Sequence, residues 1–139
     1  TLPYYQHFLH YAAGAESWEA TLDYWGARRN YQISEYIRSR TSAADRIFIW
    51  GTEPAIYALS DRLPVGRYTV SYHIIDFRAY DETLIALKTT PAKFIVVIDT
   101  FDEFNNLKSF LDARYTLEVV IDHADIYRLR EDDGHADQR

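Results

Sequence analysis

Apolar and polar positions recur along this chain with two different periods, and the switches between them mark out its elements. From Ser17 the pattern is helical: Trp18, Leu22 and Trp25 stand at i, i+4 and i+7, with Ser17 placed to cap the start and Gly26 to break or kink the run. A second helical stretch, "YQISEYIRSRT" (31–41), puts Ile33 and Ile37 on one face. Arg38 and Arg40 fall near its end, where cations complement the helix dipole. "RIFIWG" (46–51) is a short β-branched and aromatic run closed by glycine, the pattern of a buried strand. In "EPAIYALSD" (53–61), Pro54 sits where a first helical turn tolerates it. "RYTVSYHI" (67–74) alternates, with Tyr68, Val70 and Tyr72 on one face and Thr69, Ser71 and His73 on the other, and predicts a second strand.

"YDETLIALKTTP" (80–91) predicts a helix with Asp81 near its N-cap and Pro91 beyond its end. "KFIVVID" (93–99) is the clearest strand of all. Thr100 and Glu103 have capping-box spacing ahead of a helix whose Phe104, Leu107 and Leu111 form an apolar stripe. "TLEVVID" and "DIYRLRE" then read as two strands joined by a tight His123–Ala124 connection, an antiparallel hairpin. Strands alternating with helices predict an α/β fold: a layered α/β/α domain with a mainly parallel sheet and an antiparallel edge hairpin at the C-terminus. Residues 1–16 read as a lead-in from an upstream region, 17–131 as one domain, and 132–139 as a polar tail.

Composition narrows the function. The chain of 139 residues carries a net charge of −6, which argues against general nucleic-acid binding, since phosphate contacts need a basic face. It has no cysteine, hence no disulfide frame, thiolate metal site or cysteine nucleophile. Neither a signal peptide nor a run of 18 apolar residues is present. The absence of methionine leads us to expect an excised piece of a longer polypeptide. Twelve tyrosines, seven phenylalanines and three tryptophans supply much apolar area, and the phenols require a polar or wet edge.

The stretch "IFIWGTEPAIYALSDRLPVGRY" (47–68) concentrates the candidate chemistry. Its single glycine after a strand is neither G-x-G-x-x-G nor a P-loop. Gly51 permitting the turn, Glu53 at a helix N-terminus and Pro54 starting the helix explain most of it. Glu53, Arg62, Arg67, Tyr68, Tyr72 and His73 would, if they converge beside Trp50, form a polar pocket at the carboxyl end of the sheet, suited to a phosphate or a sugar. The competing reading has the arginines pairing with Glu53, Asp61 or Asp76 to brace the loop. His7 and His10 lack a nearby carboxylate to complete a metal site, and "IDHAD" around His123 is explained by a turn. No G-x-S-x-G is present, so no catalytic residue, cofactor or metal is assigned.

Over residues 30–130 the order of motifs resembles the soluble C-terminal region of bacterial polytopic membrane glycosyltransferases of the dolichyl-phosphate-mannose protein mannosyltransferase type (glycosyltransferase family 39 and its relatives). The resemblance is carried by the strand Arg46–Gly51 and by the run Pro54, Ile56, Tyr57, Leu59, Ser60, Arg62, Pro64, followed by Arg67–Tyr68. It continues through Pro91 to Val96, then Phe110–Leu111 and Tyr115, and closes on Asp125–Leu129. It implies an accessory domain, periplasmic or extracellular, of a membrane enzyme that takes a sugar from a polyprenyl-phosphate donor. The catalytic acid would lie in the transmembrane part of the same polypeptide, so this piece alone is expected to be inactive and no catalytic residue carries over. Partners implied are that transmembrane part, the nearby membrane surface and the lipid-linked sugar or its acceptor. Trp50, Glu53, Arg62, Arg67, Tyr68, Tyr72 and His73 become a candidate surface facing substrate or transmembrane loops. The alternative is a stand-alone module binding protein or peptide through a sheet edge, which Arg128 and Arg130 on the last strand would discourage.

Overall fold

The computed structural model describes residues 27–131. The lead-in, the helix expected from Ser17, the histidines at 7, 10 and 135 and the polar tail lie outside the described residues. The elements are α1 (Arg28–Arg38), β1 (Ile47–Trp50), α2 (Ala55–Ser60), α3 (Ser71–Asp76), α4 (Tyr80–Thr89), β2 (Phe94–Val97), α5 (Asn105–Arg114), β3 (Tyr115–Ile121) and β4 (Ala124–Leu129). Four strands form one open mixed sheet in the order β1-β2-β4-β3.

β1 and β2 are fully buried runs of four residues, and alternate side chains enter two separate apolar clusters. Phe48, Trp50, Ile95 and Val97 pack with Ile74 of α3, Leu84 and Leu87 of α4, and Leu107 and Leu111 of α5. Ile47, Ile49, Phe94 and Val96 pack with Ile33 and Ile37 of α1 and with Ile56 and Tyr57 of α2. Burial on both sides accounts for the continuous apolar runs that mark these strands in the sequence.

Four expectations are corrected. The sheet is not mainly parallel: β1 pairs with β2 in parallel, but β2–β4 and β4–β3 are antiparallel. The hairpin turns at Asp122–His123, both at positive φ (45° and 67°), one residue earlier than expected, and Ala124 is already buried in β4. β4 inserts between β2 and β3 because Ala124 and Ile126 have a core to enter. β3 buries only Tyr115 fully and takes the edge. Arg128 therefore lies on an inner strand, paired with Glu118 at 3.0 Å.

A further correction concerns Arg67–Ile74. The alternation predicted a strand there, but Val70 is the extended residue before α3, and helix begins at Ser71. Val70 and Ile74 are both buried, and their i, i+4 spacing serves a helix as well as alternation serves a strand. The sheet also offers no place for a strand beside β1. Its outer edge is already bonded: Ile47 N–H donates to Leu63 O (3.1 Å), Val65 N–H to Ile47 O (3.0 Å) and Ser71 N–H to Gly51 O (3.0 Å). Ile49 N–H donates to the Tyr57 phenol at 2.9 Å. The Thr100–Glu103 capping box is likewise absent. Phe104 is the N-cap of α5 with no side-chain cap, and Thr100 Oγ1 donates to Asp102 instead (3.3 Å).

Gly51 is needed for space. A Cβ built there would lie 2.9 Å from the Ile98 Cβ, too close and too near the backbone to relieve by a rotamer change. Gly51→Ala should therefore destabilise by about 1–3 kcal/mol, measured by urea unfolding. An unchanged midpoint would show that the β1–β2 ends separate freely.

Tyr115 donates its hydroxyl to Ala92 O at 2.7 Å. Burial pushes its pKa from 10.0 up to about 12. The folded pKa is the higher one, so the stabilisation is fully present below pH 10 and is lost as pH rises through about 12. Tyr115→Phe should cost about 1 kcal/mol at neutral pH and flatten the decline of stability in that alkaline window, read from urea midpoints across pH.

Candidate functional site

The parallel pair β1–β2 sets the geometry. After β1 the chain turns into α2, which packs on the Ile47/Ile49 cluster. After β2 it turns into α5, which packs on the opposite cluster. Where neighbouring parallel strands send their connections to opposite sides, a crevice opens at their carboxyl ends. Here it is a cavity of about 380 Å³ lined by Trp50, Ile75, Ile98, Asp99, Thr100 and Glu103.

Trp50 belongs to the floor. It is 1% exposed, donates Nε1–H to Thr100 O at 2.8 Å and lies 5.1 Å from the Phe104 ring, so no ligand can stack on it. Beside it, Ser71 Oγ donates to the Asp99 carboxylate, and Thr52 Oγ1 stands 3.5 Å from Ser71 Oγ. Asp99 and Ser71 were not among the sequence candidates. Their only signal was position: one ends the β2 run, and the other lay in a stretch read as strand.

The seven nominated residues do not form one pocket. Glu53, just past the carboxyl end of β1, accepts from Asn30 Nδ2 (2.8 Å) and Arg29 Nη2 (3.3 Å) in the first turn of α1. Asn30 is buried, and its Oδ1 is without a hydrogen-bond partner. Arg62 lies toward the other end of β1, next to the Leu63 that bonds Ile47. A four-residue strand spans about 13 Å, which keeps the two apart.

Arg62 is 8% exposed, and its guanidinium makes four hydrogen bonds to the chain. Nε donates to Thr41 Oγ1 (2.8 Å), Nη2 to Thr41 O (3.0 Å) and Arg38 O (3.5 Å), and Nη1 to Asp61 O (2.9 Å). It ties the end of α1 to the turn after α2. Bracing was the competing expectation for this residue, but the acceptors are backbone carbonyls and a threonine rather than carboxylates. Arg67 pairs with Glu82 at 2.9 Å on the exposed surface, not with the expected acids, and lies 5.0 Å over the Tyr68 ring.

Tyr68, Tyr72 and His73 are brought together, but by a residue the sequence reading missed. Phe77, 67% exposed, stacks on Tyr68 at 5.9 Å and lies 6.2 Å from His73, which meets Tyr72 edge-on at 4.5 Å. The missed signal is the i, i+4 spacing of His73 and Phe77, which has meaning only if the segment is helical. Among the described residues no group of three or more potential ligands could hold a metal ion, and no helix is long and apolar enough to cross a membrane.

Comparison with known proteins found no matching family model, no similar curated protein and no similar solved structure.

The two arginines should therefore separate in experiment. Arg62→Ala should lower stability by about 2 kcal/mol or more, because buried acceptors lose a charged donor. Arg67→Ala should leave the unfolding midpoint where it was, as expected of an exposed ion pair. Equal effects in urea unfolding would contradict the division into brace and surface.

Proposed function

We propose that this chain is a non-catalytic accessory domain of a membrane glycosyltransferase that uses a polyprenyl-phosphate sugar, and that it meets the rest of that protein or its substrate through the aromatic face of α3. The carrying observation is how the nominated side chains are used. Glu53 and Arg62 are tied into the scaffold, whereas Tyr72 and Phe77 present rings to solvent. The Tyr72 ring, with an apolar body and a polar tip, beside the wholly apolar Phe77 ring suits a boundary that is part wet and part apolar. The ordered motifs between Arg46 and Leu129 supply the family part of the reading. In it the parent protein sits in the membrane, the domain faces the periplasm or exterior, and the transfer chemistry lies in the membrane part.

A layered α/β/α arrangement belongs to the same reading. It is supported by the two apolar clusters, one fed by α1 and α2 and the other by α3, α4 and α5. A stand-alone peptide-binding module is the second reading, favoured by edge strand β3 with its exposed Leu117 and Val120.

An amide-shift titration with a short-chain polyprenyl-phosphate sugar, with a nucleotide sugar as comparison, tests the first reading. Saturable shifts at Tyr68, Tyr72, His73 and Phe77 with the lipid-linked sugar alone are expected. Shifts with the nucleotide sugar would overturn it in favour of a small soluble enzyme. Silence toward both, in a reading frame with no apolar spans upstream, would leave the peptide-binding module.

A further inference from the structure

α4 and α5 lie side by side and run in the same direction. Near their starts the Tyr80 and Phe104 rings are 5.1 Å apart, and just past their ends the Tyr115 hydroxyl bonds Ala92 O. Between them is a groove of about 730 Å³, distinct from the crevice at the carboxyl ends of β1 and β2. Its floor is apolar: Leu84 from α4 and Phe110 from α5 are almost wholly buried, and Ala113 adds no bulk above them. Each helix has 10 residues, so the groove is about 15 Å long.

Its two ends carry opposite charge. Asp81 lines the end at the helix starts, and Lys88 and Arg114 line the end where the helices stop. Among the described residues, no acid forms an ion pair with Lys88 or Arg114, although the chain as a whole is at −6. A cation in a last helical turn complements that helix's dipole, which accounts for each residue's place along its own axis. Arg114 also lies 5.7 Å over the Phe110 ring, which holds its charge above the groove floor, and Lys88 borders the same floor from α4.

We propose that this groove docks an amphipathic helix of about three turns with an acidic C-terminal end, laid parallel to α4 and α5. Apolar side chains at i and i+4 would enter over Leu84 and Phe110, the helix-in-groove mode of recognition. The positive N-terminal end of the incoming helix would face Asp81. Its terminal carboxylates, together with the negative end of its dipole, would face Lys88 and Arg114. Orientation and charge follow from the same three side chains. The surface is independent of the α3 face, so the proposal stands or falls apart from the reading above.

The test uses this chain and a synthetic 12-residue helical peptide with leucines at i, i+4 and i+7 and three glutamates at its C-terminal end. A control peptide carries lysines in place of the glutamates. Saturable amide shifts confined to 81–88 and 106–114 are expected with the acidic peptide. Lys88→Glu with Arg114→Glu should weaken it at least tenfold and should bind the lysine peptide instead. Ala113→Trp, which fills the groove from an exposed position, should abolish binding while the spectrum remains that of a folded protein. A spin label on the peptide's N-terminus should broaden signals near Asp81, not near Lys88. Equal affinity for both peptides, no saturable shift in the two helices, or broadening at the opposite end would each overturn the proposal. So would groove shifts that follow protein concentration without peptide, since a second copy would then be the occupant.

Discussion

A four-residue strand at the edge of a sheet is exposed to every other strand in solution, and β1 is held by having its outer hydrogen bonds made by the chain that follows it. Ile47, Ile49 and Gly51 are bonded in turn by Leu63 and Val65, by the Tyr57 phenol and by Ser71. Three successive parts of one connection must therefore lie along β1: α2 carrying the tyrosine, the turn carrying Leu63, and the start of α3. Arg62 fixes the middle of that connection to the end of α1. Most of the stretch between Trp50 and Ser71 is explained by this one requirement, so its polar residues serve the scaffold before any ligand.

Much of this was readable in the chain, for identifiable reasons. β1 and β2 announce themselves because both of their faces are buried, and α4 and α5 because only one of theirs is. What failed to read were features decided by partners far away in sequence. The segment from Val70 to Ile74 satisfies both a period of two and a helical spacing, and only the occupied edge of β1 excludes the strand. The fraction of parallel pairing depended on whether β3 or β4 would sit beside β2. That was settled by two inward positions, Ala124 and Ile126, which carry no directional signal. Arg62 was expected among carboxylates, but its acceptors are one threonine hydroxyl and three backbone oxygens, which every residue owns and no sequence singles out.

The candidate site was legible in the same uneven way. The crevice lies where an α/β connection rule puts it, at the ends of β1 and β2. What holds Asp99 in its lining was not legible, because Ser71 meets that carboxylate only once α3 has been recognised as a helix. The same error hid Phe77, which becomes a neighbour of His73 only at helical spacing. A single misassigned period thus hid the hydrogen-bond partner of a crevice carboxylate and one member of the aromatic face.

The bonded outer edge of β1 also governs how this sheet could grow. Among the described residues, β3 is the edge strand left without such a cover, whereas β1 keeps few outward backbone groups unbonded. A sheet with two free edges can add copies without limit, and that is the geometry of fibres. A sheet with one can pair once, edge to edge about a twofold axis, and then has nothing left to offer. Among the described residues, the self-sealing of one short strand leaves this sheet a single edge to offer.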